Sequence, residues 1–165
     1  DKDDCINDNT KNDCDNKDDN KNDDKNDNKD DNKNDSTGGT VANSQVNEVL
    51  ALVNKERAAS GLSALTLDSS LSGAADVRAK EIVRSFSHTR PDGRSCFTVL
   101  SDLGISYKGA GENIAAGQKS ASQVMTDWMN SEGHRANIMN SKFTKIGISC
   151  YESGGRLYWV QLFSY

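Results

Sequence analysis

The sequence lacks the features that several large function classes require. It has a single proline and only two histidines in 165 residues. No apolar run reaches the roughly 18–20 residues that a membrane-spanning helix needs, so no transmembrane segment is predicted. No secretory signal peptide is recognisable, which predicts a mature or trimmed form of the protein. A GxxxxGKS/T phosphate-binding loop is also absent.

Charge is divided unevenly between two parts of the chain. Residues 1–35 hold 14 Asp against 7 Lys, which gives −7, whereas the formal net charge of the whole chain is −5. The other residues therefore carry about +2, with basic side chains scattered along the sequence. This distribution lacks the concentrated positive field of nucleic-acid-binding proteins, so no nucleic-acid partner is predicted.

The chain is predicted to consist of a low-complexity Asp/Asn/Lys-rich tail or linker over 1–40 and one folded domain over 41–165. A segment of such low hydrophobicity cannot offset its chain entropy by burial, which favours a solvated spacer. The alternative is calcium binding by Asp and Asn oxygens. An EF-type loop needs a Gly and a Glu at set positions, and residues 1–35 contain neither.

The four cysteines leave their pairing open. They show no CxxC spacing, so a structural zinc site is not predicted from them. Cys5 and Cys14 are candidates for a bridge with each other or with another chain. Cys96 and Cys150 are predicted to form a disulfide if the protein is exported, and otherwise to be two buried thiols.

Periodicity predicts helices first and strands last. Apolar residues recur at helical spacing over 44–60, 68–86, 95–104 and 120–129. LSALTLD is predicted to be a short connector after the first of these helices, and Asp68 to be the N-cap of the second. The glycine-punctuated segment YKGAGENIAAG is left unassigned, and HRANIM is predicted to be a further short turn after an interruption at Gly133. The C-terminal residues alternate around a Ser-Gly-Gly turn, which is typical of a hairpin. The predicted fold class is α+β, with helices packed on a small, mostly antiparallel sheet.

Two histidines and two glutamates are the candidates for chemistry: His88, Glu112, Glu132 and His134. Imidazole and carboxylate together suit a zinc-like divalent ion or a general acid–base pair. Their spacing alone does not show that they converge. The alternative is that each satisfies a backbone group near a helix end or a loop.

Several motifs in order resemble the CAP superfamily of cysteine-rich secretory, antigen 5 and pathogenesis-related class 1 proteins. They are FSHTRPDG, GENIAAG, WMNSEGH, HRANIM, FTKIGISC and YWVQLF. The similarity extends from Gln45 to Phe163 and is greatest to the bacterial secreted SCP-like branch. It implies a three-layer α-β-α sandwich and an extracellular or cell-surface location.

The resemblance also implies a central cleft formed by a tetrad of side chains: His88, Glu112, Glu132 and His134. Family members hold a divalent metal ion, commonly zinc, between the two histidines, which here are His88 and His134. Asn113 and Asn137 are predicted to be cleft scaffold, with side-chain amides bonded to backbone groups.

Three functions are compatible with these features. The favoured one is a non-catalytic secreted module that binds a metal, or a ligand such as a lipid, a peptide, or a host or envelope protein. The second is a metal-dependent hydrolase that uses the two histidines as ligands and a glutamate as base. The absence of HExxH argues against it. The third is a structural protein associated with the cell envelope.

Overall fold

The computed structural model describes residues 38–165. Most of the predicted tail, including Cys5 and Cys14, lies outside the described residues. The described part contains five helices and four strands. They are α1 (Gly38–Ala59), β1 (Thr66–Leu67), α2 (Ser69–Arg84), α3 (Thr98–Asp102), β2 (Ala110–Ala116), α4 (Ala121–Asn130), α5 (Glu132–Ile138), β3 (Lys145–Ser153) and β4 (Arg156–Ser164).

The four strands form one sheet in the order β1-β3-β4-β2. β3 and β4 make the predicted hairpin, and its turn uses Gly154 and Gly155 at φ +59° and +75°, where other residues are strained. β2 pairs antiparallel with β4, and β1 pairs parallel with β3. The sheet is therefore mostly antiparallel, as predicted, with β2 at one end of the strand order.

Alternation along the strands divides the core between the two faces of the sheet. One face packs against α1, α4 and α5, and its buried residues include Val53, Trp128, Ile148, Trp159 and Phe163. The other face packs against α2 and α3, with Leu71, Ala75, Ile114, Val160 and Leu162. Helices on both faces of the sheet confirm the α-β-α sandwich.

Helix α2 lies unusually close to the sheet. It begins after Asp68, whose carboxylate accepts a hydrogen bond from the Leu71 N–H at 3.0 Å, as the predicted N-cap. Across from it, a Cβ on Gly147 would lie 2.2 Å from the Leu71 carbonyl carbon. The absence of a side chain at this position of β3 is what permits the approach.

The observed elements differ from the predicted ones in five places. β2 forms within the segment left unassigned, and its nearly complete burial explains why no alternation of apolar and polar residues marks it in the sequence. β1 lies within the predicted connector. α5 contains Gly133, and the break between the helices falls at Ser131 instead. α1 starts several residues earlier than 44, and α2 ends before Phe86.

The prediction of a 96–150 disulfide is wrong, because the two cysteines are not bonded to each other. Cys96 is buried in the core on the α2 face, whereas Cys150 packs at the margin of the core on the α1 face. The sheet lies between them, so their sulfurs cannot approach bonding distance. Burial, with a smaller contribution from Glu152, raises the pKa of Cys150 to about 11, which keeps this thiol protonated.

Candidate functional site

The site is built around an arginine within the apolar face of α2. That face is formed by Leu71, Ala74, Ala75, Ala79 and Ile82, and Arg78 lies among them with no exposed surface. A guanidinium in such surroundings requires a charged partner. Its partner is Glu112 on β2, with Nε at 2.7 Å from Oε2 and Nη2 at 3.1 Å from Oε1. The contact is bidentate, the strongest geometry for this pair.

Glu112 is itself buried, with 5% of its surface exposed. Its side chain points toward α2, on the same face as Ala110 and Ile114. Burial by itself raises the pKa of this carboxyl. Hydrogen bonds from His88 and Arg78, together with their charges, lower the pKa by more, so the net shift is downward. Glu112 is therefore ionised at neutral pH.

His88 contacts the same carboxylate. Its Nδ1 lies 2.8 Å from Glu112 Oε1, and 38% of its side chain is exposed. An ionised carboxylate can only accept a hydrogen bond, so Nδ1 must carry the proton. In the neutral ring this leaves the Nε2 lone pair unprotonated. The histidine thus offers one nitrogen to a ligand while the other is held by the protein.

A chain of ion pairs holds the loop that carries His88. Glu81 lies between Arg78 and Arg90, at 2.6 Å and 2.7 Å. Arg90 also contacts Asp102 of α3 at 2.7 Å, and Asp102 binds Arg94 at 2.8 Å. Hydrogen bonds from these two arginines lower the pKa of Asp102. The loop is thereby fastened to both α2 and α3.

The second histidine is tied to the same strand through its backbone. The His134 carbonyl accepts from Asn113 Nδ2 at 3.1 Å, and that amide also donates to Gln161 at 3.0 Å. Asn137 Nδ2 donates to the Glu112 carbonyl at 3.2 Å and to Asn113 Oδ1 at 2.8 Å. Both asparagines therefore bond backbone carbonyls, and they attach α5 to β2.

The tetrad residues hold different positions around β2. His88 and Glu112 are in direct side-chain contact on the α2 face. Asn113 points to the opposite face, so α5 with His134 is attached on that side. β2 is the last strand of the sheet, so ligands from its two faces can meet only around the outer edge of this strand. Glu132 is exposed at the first residue of α5.

One group of possible metal ligands occurs among the described residues. Single ligand atoms of His88, Cys96 and Glu112 all lie within 4.8 Å of one another. Nitrogen, sulfur and oxygen together suit zinc. However, both Glu112 oxygens are bonded to the Arg78 guanidinium, and its positive charge repels a cation there. A metal ion is therefore better placed at His88 Nε2 than at the Glu112 carboxylate.

Sequence reasoning missed Arg78, and considered Cys96 only as a disulfide partner or a buried thiol. A signal for Arg78 existed, because position 78 falls on the helical repeat that includes Leu71, Ala75 and Ile82. A charged residue on an otherwise apolar stripe predicts a buried ion pair. Its partner was not predictable from spacing.

The sequence is similar to a known protein family and to proteins of Bacillus subtilis. Residues 50–163 match the family model of the cysteine-rich secretory protein family, CAP. The uncharacterized protein YkwD of Bacillus subtilis is 45% identical over 118 residues, which cover 70% of this chain and 45% of that protein. The chain thus spans less than half the length of this relative.

Solved structures share the fold. An extracellular protein containing a SCP domain, from Bacillus anthracis, has 26% identity and a TM-score of 0.74 over 82% of this chain and 45% of that one. NaASP2, solved with Zn2+, has 16% identity and a TM-score of 0.55 over 72% of this chain and 78% of that one. This second similarity concerns the fold alone. Within the described range, no helix has the length and apolar character needed to cross a membrane.

Proposed function

The chain belongs to the cysteine-rich secretory protein (CAP) family, and we propose that it is a non-catalytic extracellular binding module. In this proposal its cleft holds a divalent, zinc-like metal ion through His88 and His134. An extracellular location is supported by the Bacillus anthracis relative, which is described as an extracellular protein.

The observation that carries the proposal is the contact of 2.8 Å between His88 Nδ1 and Glu112 Oε1. Metal-binding histidines commonly donate their second ring N–H to a carboxylate, which orients the ring and makes the other nitrogen a better ligand. His88 has this arrangement, and its side chain is partly exposed, which allows an ion to reach the ring.

His134 is the proposed second ligand. The amides of Asn113 and Asn137 hold its helix against the strand that carries Glu112, so both histidines are attached to neighbouring residues of β2. A related fold solved with Zn2+, that of NaASP2, supports zinc as the ion to test.

The same geometry disfavours the hydrolase alternative. A metal-dependent hydrolase needs a base close to the metal-bound water. Glu112 accepts three hydrogen bonds from Arg78 and His88, and its lowered pKa makes it a weak base. Glu132 lies exposed to solvent at the start of α5, outside the water-excluded surroundings in which a catalytic base is most effective.

Calorimetric zinc titration of the whole chain tests the proposal. We expect one site at about pH 7.5, and loss of that site in the double variant H88A/H134A. Weak binding to the acidic residues 1–35 is the same in both proteins and cancels. Since protons compete with the metal ion for the imidazole nitrogens, affinity should fall as the solution is acidified.

Two results would contradict the proposal. The first is a zinc site that persists in H88A/H134A, because the ligands would then lie elsewhere. The second is no binding by the unmodified chain, which would leave the cleft as a docking groove for a ligand without metal. Turnover of a substrate that is abolished by a chelator and by H88A would instead support the hydrolase.

A further inference from the structure

We propose that Arg78 is the positioning residue of the site, because its guanidinium sets the orientation and the tautomer of His88. The inference deepens the proposed function and rests on it only for the identity of the ligand that His88 receives. It concerns a residue on α2 that makes no contact with the proposed metal ligands except through Glu112 and the loop backbone.

The first step is the link through the carboxylate. Arg78 donates two of the three hydrogen bonds that the Glu112 carboxylate accepts, and His88 donates the third. The plane of the guanidinium therefore fixes the plane of the carboxylate. The remaining acceptor position on Oε1 is the one that His88 Nδ1 occupies, so the carboxylate selects both the ring angle and the protonated nitrogen.

The second step is the link through the backbone. Arg78 Nη2 also donates to the Ser87 carbonyl at 2.7 Å, immediately before His88 in the chain. On the other side, the Cys96 N–H donates to the His88 carbonyl at 2.9 Å. One buried side chain thus holds both the main chain that enters His88 and the acceptor that binds its ring.

The third step explains why an arginine is required. Its three nitrogens reach three separate groups, namely Glu112, Ser87 and, through Nη1 at 2.6 Å, Glu81. A lysine has one nitrogen at the end of a flexible chain and cannot bond these groups in a common plane. Apolar residues of similar volume often stabilise a core as well as a buried ion pair does, so stability alone does not explain an arginine at this position. Positioning of His88 does explain it.

Without Arg78, the Glu112 carboxylate loses two of its three donors and the Ser87 carbonyl loses its donor. Neither the acceptor nor the loop is then held in place, so the contact between His88 Nδ1 and the carboxylate is broken for part of the time and the ring proton is free to occupy Nε2. A protonated Nε2 cannot ligate a metal. The variant R78M, which preserves apolar bulk, should therefore change the ring before any ligand is added.

Nitrogen-15 NMR of the histidine rings in the whole, metal-free chain tests this directly. At about pH 7.5 the unmodified chain should show His88 protonated at Nδ1 and bare at Nε2, because Nδ1 faces the Glu112 carboxylate. The H88A variant assigns the signals. R78M should move proton density from Nδ1 to Nε2, and R78K should restore only part of the original pattern.

The matched control is R57M. Arg57 is also fully buried, but it bonds backbone carbonyls at Ser63, Ile138 and Asn140, on the sheet face opposite to the one toward which the Glu112 carboxylate points. Its loss should cost stability and leave the His88 signals in place. Should R78M fail to fold, R78K carries the comparison. A His88 that is protonated at Nε2 in the unmodified chain, or unchanged in folded R78M, overturns the inference.

Zinc affinity provides a second readout. Loss of an outer partner of a ligand typically weakens metal binding by about 10- to 100-fold, and we expect R78M to fall in this range. R84A removes an exposed arginine from the same helix as Arg78 and should bind zinc as the unmodified chain does. No zinc binding by any form, with an altered tautomer in R78M, would refute the metal site but support the role of Arg78.

Discussion

Replacing Gly147 by alanine tests how closely α2 packs against the sheet. A Cβ at this position of β3 would lie 2.2 Å from the Leu71 carbonyl carbon and 2.4 Å from its oxygen. Ordinary contacts to a Cβ begin at 3.4 Å, so the two elements must separate by about 1.2 Å. The atoms in the way belong to the backbone and cannot rotate aside. The strain must therefore move the helix as a whole.

The expected cost follows from what the helix buries. Leu71, Ala74 and Ala75 are almost completely buried on the α2 face of the sheet, and a shift of α2 loosens all of them. Overpacking a core typically costs about 1–3 kcal/mol. Because backbone rather than a side chain is displaced, we expect G147A to lie at the upper end, near 3 kcal/mol. That is a large part of a total stability of roughly 5–15 kcal/mol.

Gly73 provides a control with the same chemical change. It lies in α2 itself, and a Cβ there would meet no atom within 4 Å. Alanine in a helix interior is more favourable than glycine by about 0.5–1 kcal/mol, so G73A should stabilise the protein. Urea unfolding of the three proteins gives the midpoints, and equal slopes would show that the unfolded state is unchanged.

The reasoning fails if G147A unfolds within about 0.5 kcal/mol of the parent at an unchanged slope, a shift typical of an ordinary surface substitution. Such a result would mean that α2 adapts to the methyl group at little cost. An equal loss of stability in G73A and G147A would also contradict it, since the effect would then not depend on the contact with Leu71.

Two further predictions concern stability. R57M should lose about 3 kcal/mol in urea unfolding, at roughly 1 kcal/mol for each of its three short bonds to carbonyls at Ser63, Ile138 and Asn140; an unchanged midpoint would contradict this. D68A should lose about 1 kcal/mol with the N-cap. The Leu71 N–H, aided by Lys145, lowers the pKa of Asp68. Its contribution should therefore be present above about pH 4 and vanish as the pH falls through the folded pKa, whereas a D68N variant should lack this dependence. Equal acid sensitivity of D68N and the parent would count against it.

Local chemistry along the chain was enough to predict much of the fold. Asp68 followed by apolar residues at helical spacing predicted α2, and alternation around the Ser-Gly-Gly turn predicted the β3–β4 hairpin. Both features depend on neighbours within a few positions, where side-chain period and capping act directly. The ordered motifs likewise predicted the family and the three-layer sandwich. The family match and the packing of helices on both faces confirm these predictions.

The tertiary structure decided which of the candidate residues meet. Arg78 and Glu112 are 34 positions apart and pair only because α2 lies over β2, a strand whose burial on both faces hides its period. Cys96 and Cys150 were candidates for a disulfide on the sequence alone, yet the sheet lies between them. In each case the outcome depends on which face of the sheet an element covers. That choice is made by the packing of the whole core, because no short segment can bury its apolar face alone.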